Sequence, residues 1–156
     1  MKICITGTPG TGKTKIAKQL SKKLGCDLIE LNKFAEEKKL YSGFDRKRAC
    51  KIVDIKKINK EIKKLKGTFI LESHYSHKID CDRIVLLTAI PAILKKRLEK
   101  RNWKREKIQE NLDAEIMEII KSEVYEKFSK KHILEIDTSK TTINKNVAKI
   151  IEWLKN

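Results

Sequence analysis

The chain has no apolar run near the roughly 20 residues that a bilayer-spanning helix requires, and its mean hydropathy is −0.51. A strand-like stretch begins at residue 2 and leaves no room for a signal peptide. The expectation is a soluble protein of the cytoplasm, or of the nucleus in a eukaryote, with no membrane partner. The four cysteines, Cys4, Cys26, Cys50 and Cys81, form no C-x-x-C pair, so reduced and mostly buried thiols are expected. No repeat, linker or low-complexity segment divides the 156 residues. One domain of this size buries about two thirds of its unfolded surface and needs neither disulfides nor a structural metal.

Acidic residues are also scarce, at 21 against 37 lysines and arginines, for a net charge of +16. The imbalance is uneven: residues 1–53 carry 13 basic and 5 acidic side chains, residues 54–100 carry 12 and 6, and residues 101–156 carry 12 and 10. Clustered cations of this kind bind nucleic acid by releasing its counterions. Runs such as KKINKEIKKLK at 56–66 have a plainer reading as solvated helix faces. Aromatics make up only 6% of the chain, and few alternate with basic residues, which removes the usual stacking platform for single strands.

Glycine is sparse, yet three of the six glycines fall in GTPGTGKT at 7–14. This is the phosphate-binding spacing G-x-x-x-x-G-K-[ST], whose four fixed positions recur by chance about once in 30,000 starts. It directly follows an apolar run at 3–5. A strand ending in a glycine-rich turn that opens a helix aims unpaired N–H groups into one concavity at the positive end of the helix dipole. Gly7, Gly10, Thr11 and Gly12 are expected to form that cradle, with Lys13 on the β- and γ-phosphates of ATP and Thr14 as a hydroxyl ligand of Mg²⁺.

Hydrophobic periodicity predicts strands over 2–6, 27–31, 68–71, 83–87 and 133–136. It predicts helices over 13–24, 32–40, 54–65, 91–100, 105–130 and 144–154, with YSGF at 41–44 as a break. Strands that alternate with helices after an initial P-loop imply an α/β P-loop NTPase fold: a parallel sheet of about five strands flanked by helices, with ligands beyond the strands' carboxyl ends.

Glu72 ends an apolar strand, where an acid can orient the water shell of Mg²⁺. His74 and His77, with Asp80, Cys81 and Asp82 nearby, invite a zinc reading, but a zinc site needs three or four convergent ligands and no second cluster is evident. His74, nearer the strand end, suits a hydrogen bond to phosphate or the positioning of water. Arg97 and Arg101 stand one helical turn apart at the entry to the basic break RNWKR. Phosphoryl transfer depends on positioning and cationic clamps, and an arginine-bearing lid supplies both.

With the P-loop ITGTPGTGKT (5–14), ESHYSH (72–77), RNWKREKIQENLDAEI (101–116) and EIDTSK (135–140), the chain resembles the adenylate kinase isoenzyme 6 family over essentially its whole length. The run from 101 to 116 is the specific part. The resemblance implies a nucleoside monophosphate kinase-like domain with a short lid at about 100–110 and an AMP-binding segment at about 30–53. It implies Mg²⁺-dependent transfer of phosphoryl from ATP to AMP, ATPase activity, and a role in small ribosomal subunit maturation with a ribosomal-protein partner and pre-rRNA nearby. By position it places Gly10, Gly12, Lys13, Thr14 and Lys15 on the ATP phosphates, Arg101 on the transferred group, and Lys140 beside adenine.

Asn102 stands where that family usually has glycine. Lys33 and Glu36 stand where it often has an acid and an arginine, so the AMP phosphate would fall to Lys33, Lys38, Arg46 or Arg48. Two rival readings share the P-loop: an ATPase-type ribosome assembly factor with little kinase activity, and a small-metabolite kinase of the shikimate or cytidylate type. A non-catalytic nucleotide-binding module is a third.

Overall fold

The computed structural model describes residues 1–156. In chain order the elements are β1 (Lys2–Thr6), α1 (Lys13–Leu24), β2 (Asp27–Glu30), α2 (Leu31–Glu37), β3 (Tyr41–Asp45), β4 (Cys50–Val53), α3 (Ile55–Lys63), β5 (Phe69–Glu72), β6 (Arg83–Thr88), α4 (Pro91–Glu99), α5 (Arg105–Ile116), α6 (Ile119–Lys127), β7 (Ile133–Asp137) and α7 (Ile143–Leu154). The main sheet has the order β2-β5-β1-β6-β7 and every pairing is parallel. The expected five-stranded parallel sheet flanked by helices is therefore present.

Successive side chains of a strand point to opposite faces, and β1 divides the core accordingly. Ile3 and Ile5 pack with Ile16 and Leu20 of α1 and Val147 and Ile150 of α7. Cys4 faces the other way, among Leu31 and Ala35 of α2, Ile58 and Ile62 of α3, and Val124 of α6. A third, smaller cluster joins Leu94 and Leu98 of α4 to Leu112 of α5, with Trp103 and Ile108 against it. That cluster seats the 100–110 segment on α4. No helix is long and apolar enough to cross a membrane.

Two stretches differ from expectation. The 41–44 break is the first arm of an antiparallel hairpin, β3–β4, with Asp45 accepting from the Arg48 N–H at 3.1 Å across its turn. Both arms are largely solvent-exposed, so the alternation that marks a half-buried strand is weak there. The helix expected over 105–130 is two helices, divided at Glu118, whose φ is 51°. Neither glycine nor proline marks the break. Its cause is tertiary: Ile108 and Leu112 pack on α4, whereas Ile120, Val124 and Phe128 pack on the sheet, and one straight helix cannot serve both.

Candidate phosphate-binding cleft

β1 delivers the chain to the P-loop at Thr6, and the loop passes close against β6. A Cβ on Gly7, with φ 141°, would lie 2.1 Å from the Leu87 carbonyl oxygen, and one on Gly10, with φ 97°, 2.7 Å from Leu94 Cδ1. Gly7, against a backbone carbonyl, is required by contact as well as by conformation, whereas Gly10 meets only leucine methyl ends and is required chiefly by its positive φ. Thr8 O anchors the turn, accepting from the Thr11 N–H at 3.2 Å and the Thr11 hydroxyl at 2.8 Å.

Lys13 opens α1, but its side chain folds back over the loop and Nζ donates to Thr8 O at 3.0 Å. Burial pushes its pKa down to about 8, against the pull of the neighbouring Glu72 carboxylate. Thr14 Oγ1 donates to Glu72 Oε2 at 3.3 Å. Glu72 pairs in register with Ile5, so β5 brings its carboxylate beside the start of α1. Burial raises the Glu72 pKa, while Lys13 and the Thr14 hydroxyl oppose that rise.

The two histidines of ESHYSH separate. His77 is buried, with Nδ1 2.8 Å from Thr6 Oγ1 and Nε2 2.7 Å from Glu123 Oε2. A carboxylate only accepts, so Nε2 carries a proton and neutral His77 accepts from Thr6 at Nδ1. His74 stands on the rim of the cleft, edge-on to Tyr75 at 5.0 Å. Crowding by the cleft walls, then Lys13, His77 and Lys78, push its pKa down to about 4 although the ring opens to solvent. No three His, Cys, Asp or Glu side chains converge as a metal site.

The P-loop floors a cleft of about 1600 Å³. This exceeds the ~300–1,000 Å³ typical of a pocket for one small ligand. Thr14 and Lys15 line the cleft beside the P-loop, and Arg97, Arg101 and Trp103 line it from α4 and the turn that follows. Arg101 lies over the Trp103 ring at 5.3 Å and Lys107 over it at 3.9 Å. Asn102, between the arginine and the tryptophan, has φ 52°. Asparagine is among the few non-glycine residues that enter this left-handed region readily, which accounts for its standing in a glycine-type position.

Arg97 is held by protein groups: Nη1 donates to Gly10 O at 3.3 Å and Thr138 Oγ1 at 3.0 Å, and Nη2 to Thr138 O at 2.8 Å. A guanidinium has five N–H groups, and two remain for an anion. Lys33 and Arg48 also line the cleft, and Lys33 pairs with Glu30 at 2.8 Å. Arg46 does not line it, and Lys38 pairs away from it with Glu61 at 3.5 Å. Near β7 the lining comes from Thr138, Thr141 and Asn146, whereas Lys140 does not line the cleft.

Lys47, Lys100, Lys104 and Lys107 also line the cleft and were not singled out by sequence, because nothing distinguishes them from the many solvated lysines. Glu115 was missed as well. Its carboxylate accepts from the Thr8 hydroxyl through Oε2 and from the Ala89 N–H through Oε1 at 2.8 Å. Its place within the 101–116 run was the available signal.

A protein-family model described as "AAA domain" matches residues 3–118. A Methanocaldococcus jannaschii protein named "Putative adenylate kinase" is 39% identical over 159 residues, covering 100% of this chain and 87% of the relative. A Pyrococcus abyssi protein of the same name is 37% identical, covering 100% and 85%. Among solved structures, shikimate kinase from Bacteroides thetaiotaomicron superposes with a TM-score of 0.63 at 19% identity, covering 100% of this chain and 99% of that one. Deoxyadenosine kinase from M. mycoides gives 0.65 at 18%, covering 99% of each. These two likenesses establish the fold alone. The chain belongs to the AAA-domain family, in the group of archaeal relatives that bear the adenylate kinase name.

Proposed function

We propose that this chain is a nucleoside monophosphate kinase that transfers phosphoryl from ATP to AMP, giving two ADP. The observation that carries this reading is a single cleft that the P-loop residues Lys13, Thr14 and Lys15 share with cations from other elements, Lys33 of α2 and Arg48 of the hairpin turn among them. The names of the relatives support the choice of nucleotide.

Thr14 and Glu72 supply two hard oxygen donors side by side, which suits Mg²⁺, an ion that keeps several waters and takes only one or two protein ligands. When bound, it would neutralise charge between the β- and γ-phosphates. Lys13 leaves Thr8 O for the phosphate oxygens. Arg101, held only by Trp103 and exposed, swings onto the transferred group, and the two free N–H groups of Arg97 steady the phosphate chain while its others fix Gly10 and Thr138. Gly7, Gly10, Thr11 and Gly12 present backbone to the phosphates. The 138–141 loop borders the base through Thr138 and Thr141, which line the cleft where Lys140 does not. An anionic phosphate acceptor needs no general base.

His74 favours a second activity. On the rim of the cleft two residues past Glu72, the neutral ring can accept a hydrogen bond from a water directed at the γ-phosphate, so ATP is hydrolysed slowly when AMP is absent. The resemblance to the adenylate kinase isoenzyme 6 family supports service in small-subunit maturation, with a small-subunit ribosomal protein and pre-rRNA as partners, and the +16 charge suits that setting. A coupled assay with and without AMP tests the kinase reading. ADP should form in a 2:1 ratio to AMP consumed, and ATP loss indifferent to AMP would rule it out.

A further inference from the structure

Glu115 lies outside the phosphate cleft, yet both of its carboxylate oxygens are committed to the underside of the P-loop region. One accepts from the Thr8 hydroxyl and the other from the Ala89 N–H just beyond β6. Thr8 is 2% exposed, and its carbonyl is the one that holds Lys13 Nζ and the Thr11 N–H and hydroxyl. Glu115 also sits in the last turn of α5, the helix that begins directly after the lid arginine Arg101 and rests on α4 through Leu112. The helix ends one residue later at Ile116, and Glu118 takes a left-handed conformation. The break lets α6 pack on the sheet without drawing Glu115 away from Thr8.

We propose that Glu115 is a positioning residue that fastens the lid helix α5 to the P-loop through Thr8, setting the carbonyl from which Lys13 is handed to the nucleotide phosphates. The clamp joins the two parts of the cleft that must close on ATP together. It touches neither nucleotide and acts through Thr8. Placement of a phosphate-binding group to within about 1 Å is worth as much as 10²-fold in rate. An ionised carboxylate accepting two hydrogen bonds is well suited to hold such a position. The proposal rests on the nucleotide reading of the P-loop and is independent of the acceptor.

The test compares Glu115→Ala, Thr8→Val, Thr8→Ser and the double variant Glu115→Ala/Thr8→Val. Equilibrium titration with Mg-ATP is run without acceptor, and kcat and KM follow for ATP and for AMP. Glu115→Ala and Thr8→Val should each weaken ATP binding and lower kcat/KM for ATP by about tenfold or more, with KM for AMP unchanged within twofold. Thr8→Ser, which keeps the hydroxyl, should return both to within about twofold of the parent. The double variant should be no worse than the poorer single one, because both remove the same bond.

Melting temperature, measured on every variant, separates loss of fold from loss of position. Variants that melt lower yet bind ATP with parental affinity, or losses that multiply in the double variant, would overturn the proposal. ATP binding by the unsubstituted protein with no transfer to AMP would instead count against the kinase reading alone.

Discussion

Arg48, in the turn of the β3–β4 hairpin, lies with Nε 3.8 Å from Glu110 Oε2 on α5, so the hairpin and the lid helix meet across the mouth of the cleft. Both side chains are more than half exposed, and an exposed pair contributes only about 0–1 kcal/mol. The contact is easily exchanged for a phosphate. Arg48→Ala should raise KM for AMP about tenfold, the loss expected for about 1.4 kcal/mol, and leave KM for ATP within twofold. Glu110→Ala should change neither by more than about twofold. Steady-state kinetics on both variants checks this, and equal effects on ATP and AMP would move Arg48 out of the acceptor site.

Lys13 and Glu72 are the buried charges of the donor site. Lys13→Ala should lower kcat by about 10³-fold, the upper range for removing one preorganised electrostatic contact, with melting temperature held or raised because a buried cation is gone. Glu72→Gln should keep the Thr14 hydrogen bond and shift the Mg²⁺ concentration for half-maximal activity upward by about tenfold. Titration of activity against Mg²⁺ distinguishes the two, since only Glu72→Gln should be rescued by added metal.

The lid hinge should tolerate glycine. Asn102 at φ 52° loses little on Asn102→Gly, whereas Asn102→Ala should cost roughly 1 kcal/mol for its Cβ in the left-handed region. Thermal denaturation reads the difference, and a more stable alanine variant would contradict the assigned conformation.

Stability should fall as the solution is acidified. Burial lowers the His77 pKa below its unfolded value, with the Glu123 hydrogen bond and charge opposing and Lys78 and Lys127 assisting. The unfolded chain therefore binds the proton first. The full stability contributed by neutral His77 is present above about pH 6.5 and declines as the pH drops through the unfolded value towards the folded one. His77→Gln should lower the melting temperature at pH 7.5 but flatten its decline between about pH 6.5 and 5. An unchanged slope would assign the acid sensitivity elsewhere.

The P-loop end of the cleft was legible because each of its parts carries a local signature. Gly7, Gly12, Lys13 and Thr14 are fixed by a spacing that backbone geometry demands, and Glu72 by its place at the end of an apolar strand. The sheet's centre was legible because β1, β5 and β6 are buried on both faces and read as continuous apolar runs. The hairpin was not, since its exposed arms lack alternation, and neither was the helix break at Glu118, which answers to two separated packing surfaces. Lys47, Lys100, Lys104 and Lys107 become cleft residues only through long-range folding, and Arg46 and Lys140 carry the right charge at places the fold turns away. Glu115 shows the same limit, because its partner Thr8 lies more than a hundred residues distant.

The central claim is that the cationic cleft passes a phosphoryl group between two nucleotides. Phosphorus NMR of the purified protein with Mg-ATP and a panel of acceptors, comprising AMP, other nucleoside monophosphates, shikimate and water alone, tests it most directly. AMP should drive conversion of ATP to ADP signals with no inorganic phosphate beyond the slow background seen with water. ATP loss that yields inorganic phosphate at one rate with every acceptor, or transfer to shikimate in preference to AMP, would contradict it.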